Sequence, residues 1–116
     1  MKRKERSVKS PNLSEEEFLN RFKNFVTIEK RYKVMIPIFI VFREKDTGMT
    51  KCWDYQYKFT IDPWSHTESQ NPDRDFDQIL DEVYWKISSS ELYSDKRILS
   101  LVVVDGESLH EKKIEQ

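Results

Sequence analysis

From Cys52 to Ile61 the chain alternates residue by residue. Trp53, Tyr55, Tyr57, Phe59 and Ile61 fall on one face, and Cys52, Asp54, Gln56, Lys58 and Thr60 on the other. A period of two belongs to a β-strand with one face covered. A single strand cannot stand alone, so the rest of the chain must supply partners and a covering layer. Upstream, Tyr32 to Phe42 is apolar at almost every position, as in a strand covered on both faces. Pro37 cannot donate to a ladder and places this part at an edge or a bulge. Lys45-Asp46-Thr47-Gly48 has turn chemistry and ties the two runs into a hairpin. Arg97 to Asp105 reads as a third, buried strand, closed by the turn Asp105-Gly106.

The covering layer is written as two helices. Ser14 stands at an N-cap position with Glu17 three residues on, a capping box, and Leu13 and Phe18 occupy the positions of a hydrophobic staple. Glu15, Glu16 and Glu17 suit the positive end of the helix dipole. The stripe Phe18, Leu19, Phe22, Phe25, Val26 predicts a helix ending near Thr27 to Lys30. Asn71-Pro72 offers a second N-cap with Pro at the first helical position, and Phe76, Ile79, Leu80, Val83 and Ile87 form the second stripe. Ser88-Ser89-Ser90 loosens it.

The predicted order is helix–strand–strand–helix–strand, an α+β fold of two-layer sandwich type. A third strand parallel to the first and beside it would make the second helix a right-handed crossover. Strand–strand–helix–strand is also the order in which a β-grasp domain begins; the similarity is one of element order. A flexible basic tail over 1–12, one α+β domain over 13–106 and a charged tail over 107–116 complete the organisation. The chain's 116 residues suit one domain with a usable core.

Composition narrows the function. The aromatic content of 13% is too high for a disordered chain, even with 35% charged residues. One Cys excludes a disulfide framework. With only Gly48 and Gly106, neither a dinucleotide fingerprint nor a phosphate-cradling loop can be written. The longest apolar run, Val34 to Phe42, is far short of the roughly 20 residues of a membrane span. Met1 to Lys9 lacks the apolar core of a secretory signal, so the sequence reads as intracellular.

Candidates for chemistry are few. Cys52 has only His66 and His110 as bases, and nothing positions a pair. One Cys and two distant His exclude a zinc finger. Asp73, Asp75 and Asp77 imitate the opening of a calcium loop, but the sixth position is Gln78 and the twelfth Tyr84. Pro72-Asp73 and Glu111-Lys112-Lys113 lie off the strands that a nuclease motif needs. No catalytic residue, metal or cofactor is expected.

Binding is better supported. Trp85 falls opposite the apolar stripe of the second helix, and Leu92 would share that outer face if the helix reached it. Met35, Phe39 and Val41 point away from the face carrying Ile36, Ile38 and Ile40, beside a polar face of the next strand. Either the first helix covers this face or a partner does. The expected function is a non-catalytic protein-interaction module, as a homodimer or a subunit of a nuclear complex. The alternative is nucleic-acid binding through the basic N-terminal half. Residues 1–33 carry 10 basic and 5 acidic residues, whereas residues 61–95 carry 2 basic and 9 acidic. Lys2, Arg3, Lys4, Arg6, Lys9, Lys30, Arg31 and Lys33 would meet phosphates, and the cluster from Lys2 to Lys9 also reads as a nuclear import signal. The helix–strands–helix outline resembles double-stranded RNA-binding domains. Their second helix opens with Lys, where this chain has Asp73, Asp75 and Asp77.

Overall fold

A computed structural model describes residues 14–61 and 75–114. The elements are α1 (Glu15–Arg21), β1 (Val26–Ile28), β2 (Tyr32–Glu44), β3 (Thr50–Ile61), α2 (Phe76–Ser88), β4 (Lys96–Asp105) and β5 (Ser108–Lys113), with a 3-10 turn at Glu91–Tyr93. The fold class is α+β, with a five-stranded sheet paired antiparallel throughout.

The sheet is organised on β2. Along one side it pairs with β3 over its whole length, from Tyr32 opposite Ile61 to Arg43 opposite Thr50. Its other side is shared. β1 pairs with Tyr32 to Val34, β4 pairs with Phe39 to Glu44, and β5 lies outside β4. This division explains Pro37 in a central strand. The Met35 N–H donates to the Phe25 carbonyl on the β1 side at 3.1 Å. Ladder direction repeats every two residues, so the Pro37 nitrogen points the same way. There it meets the gap between β1 and β4, and the missing N–H interrupts nothing.

Sequence expectations fail at four places. The first helix stops at Arg21 with Phe22 as C-cap, because β-branched Val26, Thr27 and Ile28 take up strand pairing with Val34, Lys33 and Tyr32 instead. The second helix is capped by Asp75. Its carboxylate accepts the Gln78 N–H at 2.8 Å, and the Gln78 side chain accepts the Asp75 N–H at 3.0 Å. The expected cap Asn71-Pro72 lies outside the described residues. The third long strand, β4, is antiparallel to β2, so the parallel crossover and the β-grasp order do not hold. After the 3-10 turn, Lys45 N–H donates to the Asp95 carbonyl at 3.1 Å, which starts β4 at the Glu44 end of β2 and sends it back along that strand. The expected charged tail contains β5, whose residues 108–113 pair with β4.

Both helices pack on one face. Ile36, Ile38 and Ile40 of β2, Leu101 and Val103 of β4, and Ile79, Leu80, Val83 and Ile87 of α2 are buried together. α1 docks through aromatic rings. Phe22 lies 5.1 Å from Phe18, 5.6 Å from Phe59 and 5.4 Å from Phe76, centroid to centroid. Its start is held by the predicted capping box, Ser14 with Glu17, and by the Tyr32 hydroxyl bonding to Glu15.

Candidate interaction surfaces

With both helices inside, the other sheet face has no covering element among the described residues. Alternation decides what it carries. Met35 is 51% exposed and Phe39 36%, and Val41 is half-buried between neighbouring strands. Phe39 stands opposite Val102 of β4, and Val104 stands opposite Leu109 of β5. The result is an apolar patch across three strands. The helix that the sequence allowed as its cover lies on the far side of the sheet.

Cations surround the patch. Lys33, Arg43, Lys58, Arg97 and Lys113 belong to this face by register, against Asp54 and Glu111. Arg43 and Arg97 are directly opposite each other across β2 and β4. Like charges in that position destabilise a sheet unless an anion lies between them. Neither arginine stands out in the sequence, since their juxtaposition depends on the antiparallel register of β4.

The other predicted contacts fall elsewhere. Trp85 is 70% exposed on the solvent side of α2, with its ring edge-on to Tyr84 at 5.5 Å. Leu92 is 62% exposed but sits in the 3-10 turn, because α2 ends at Ser88. It borders an open groove of about 620 Å³ lined also by Trp53, Tyr55, Ile87 and Tyr93, which Trp85 does not line. The five predicted interface residues therefore occupy three surfaces, since Leu92 does not share the helix face of Trp85. Of the predicted phosphate contacts, Lys30 and Arg31 are exposed in the turn between β1 and β2, and Lys33 pairs with Glu29 at 3.0 Å. Lys2, Arg3, Lys4, Arg6 and Lys9 lie outside the described residues, as does His66.

Two polar clusters complete the surface. Lys96 extends its ammonium over Trp53 at 4.6 Å and Phe42 at 5.6 Å, and bonds to Asp95 at 2.8 Å and to the Leu92 carbonyl at 3.4 Å. Hydrogen bonding from Lys96 holds the Asp95 carboxyl below its usual range. Tyr93 beside it has its phenol pushed up by burial, with Lys96 acting in opposition. On the opposite side of the domain, the His110 ring stacks on Phe76 at 4.2 Å, and its Nε2 lies 3.5 Å from an Asp105 carboxylate oxygen. Asn24 donates to the other Asp105 oxygen at 2.6 Å. These contacts fasten β5 to the start of α2. They also place His110 on the inner face, whereas Cys52 lies on the outer face of β3, so the two are not brought together. Among the described residues no group of three or more His, Cys, Asp and Glu could hold a metal ion, and no helix is long and apolar enough to cross a membrane.

No protein-family model matches the chain, no curated protein matches it, and no solved structure matches it.

Proposed function

We propose that this two-layer α+β domain is a non-catalytic interaction module that docks a protein partner on its outer sheet face, as a subunit of an intracellular, nuclear assembly. One observation carries the reading. Met35, Phe39, Val102, Val104 and Leu109 share a sheet face that neither helix covers. Contiguous exposed apolar surface of this kind marks an interaction site more often than a free surface. The surrounding cations specify the partner as an apolar surface with an acidic rim. Trp85 is a second contact on the opposite side of the domain, where an exposed Trp suits a hot spot.

Nucleic acid is the second reading, favoured by Arg43 standing opposite Arg97 on the same face as exposed Phe39. Phosphate would bridge the guanidinium pair and a base would stack on the ring.

The test is affinity purification of the full chain from its native cells, with half of each sample treated with nuclease, for the wild type, Phe39→Glu and Trp85→Ala. The proposal expects a stoichiometric protein that survives nuclease and is lost with Phe39→Glu. Retention of that protein by Phe39→Glu refutes the outer face as its site, and unchanged binding by Trp85→Ala removes Trp85. Nucleic acid in the untreated half, with affinity falling steeply as salt rises, establishes the second reading instead.

A further inference from the structure

β3 is twelve residues long and pairs only with β2 among the described residues. Its other edge carries a row of backbone donors and acceptors of the kind that templates strand addition. The direction of those groups follows from the ladder. Since the Met35 N–H points away from β3, the even-numbered residues of β2 point towards it. Their opposites in β3 are odd-numbered, as in Ile36 with Tyr57. The even-numbered residues of β3, Cys52, Asp54, Gln56, Lys58 and Thr60, therefore turn their N–H and C=O groups outwards.

We infer that this edge pairs with the same edge of a second copy of the chain, antiparallel, about a two-fold axis at Gln56. Charge complementarity selects both the occupant and the register. A two-fold axis normal to the sheet keeps outer-face residues opposite outer-face residues. Asp54 and Lys58 stand two residues either side of Gln56 on that face. Centred there, Asp54 of each copy faces Lys58 of the other, twice by symmetry. Neither side chain has an ion-pair partner within its own chain among the described residues. On the inner face the same register sets Tyr55 against Tyr57 and Trp53 against Phe59, all of which border open grooves beside the edge. Moving the axis by one residue along the strand keeps the strands paired and sets Asp54 against Gln56 and Lys58 against Cys52. The charge pairing is thus specific to Gln56 as the centre.

In this arrangement residues 51–61 of each copy are paired and the outward groups of the five even-numbered residues form about ten backbone hydrogen bonds. The two sheets become one, and the outer faces of the two copies lie side by side. Asp54 and Lys58 border the proposed docking face, but the edge pairing is read by self-association and the docking by partner capture through Phe39, so either assignment can fail alone.

Charge exchange tests it. Lys58→Glu alone sets two carboxylates against each other at two symmetric positions, and Asp54→Lys alone does the same with two ammonium groups. Both side chains are exposed, so far-UV circular dichroism of either variant should match the wild type. The oligomeric state of the full chain is read by sedimentation equilibrium. A wild-type dimer is expected, with the dissociation constant raised at least about tenfold by either single change. The double variant D54K/K58E should recover the dimer. An equimolar mixture of the two single variants should form a mixed dimer. The introduced lysine of one chain then meets the introduced glutamate of the other, and the native Lys58 of the first meets the native Asp54 of the second. A wild-type chain that stays monomeric to about 1 mM overturns the inference. So does a dimer that both single variants leave intact, since it must use another surface.

Discussion

Phe22→Ala probes how the short helix is held and whether the domain is one cooperative unit. Seven residues are too few for α1 to be stable by itself. What holds it is Phe22, fully buried and in ring contact with Phe18, Phe59 and Phe76, so that one side chain joins α1, β3 and α2. A buried aromatic ring removes about 200 Å² from water. At about 25 cal/mol per Å² the transfer contribution is about 5 kcal/mol, and measured Phe→Ala losses run at about 3–5. We expect a loss of about 4 kcal/mol, a large fraction of the roughly 5–15 kcal/mol that a domain possesses. For a urea dependence of about 2 kcal/mol per M, the midpoint falls by about 2 M. Phe22→Leu, which keeps most of the volume, should lose no more than about 1.5 kcal/mol. Hydrogen exchange then locates the loss. Because the ring touches β3 and α2, protection should fall equally at Leu101 and Val103, far along the sheet. A loss under about 1.5 kcal/mol for Phe22→Ala, or one confined to the amides of α1, would refute the view that this cluster ties the layers together.

Three further outcomes follow from local geometry. Lys96→Met keeps the stem but removes the cation from the faces of Trp53 and Phe42, and should destabilise the fold by about 1 kcal/mol with a shift in tryptophan emission; a gain in urea midpoint would mean that desolvating the ammonium outweighs its contacts. The Tyr93 phenol is pushed up by burial, and that of Tyr32 by its hydrogen bond to Glu15. Their contribution to stability is therefore complete below about pH 10 and lost as pH rises through their raised values. Urea melts at increasing alkaline pH, with tyrosinate absorbance recorded in parallel, should show this decline, and a flat profile would contradict it. Gly48 and Gly106 both hold positive φ, at 75° and 62°. Gly48→Ala should lose about 1 kcal/mol from backbone strain alone. Gly106→Ala should lose more, because its new Cβ would lie 3.3 Å from the Asn24 amide that bonds to Asp105; equal melting temperatures for the two variants would show that Asn24 moves aside freely.

The parts of the fold legible in the sequence are those where one periodicity acts alone. The alternation of β3, the stripe of α2 and the capping box of Ser14 and Glu17 all stand in the structure as read. β1 was hidden because Phe25 and Val26 continue the helical spacing of Phe18 and Phe22, and only pairing with β2 decides between the two states. β5 was hidden for a different reason. Its inner residues include His110 and Lys112, which work through a stacked ring on Phe76 and an ion pair to Asp81 at 2.8 Å, so its alternation is not one of hydrophobicity. Among the candidate sites, the exposure of Met35, Phe39 and Trp85 could be read from spacing. The pairing of Arg43 with Arg97, the addition of Leu109 to the patch and the open edge of β3 arise from which strands lie side by side, which no local pattern records.

The gap beside Pro37 bears on the shape that a partner meets. A sheet's twist is carried from strand to strand by its ladders. On this side of β2 the ladder is divided, with β1 at one end and β4 and β5 at the other. The two ends are coupled through β2 and β3 alone, so each can adopt its own coil without stretching a hydrogen bond between them. Met35 lies at the β1 end and Phe39 with Val102 at the β4 end, with Pro37, whose φ is fixed by its ring, between them. A partner that covers both must cross the stretch of β2 that has a strand beside it only on the β3 side.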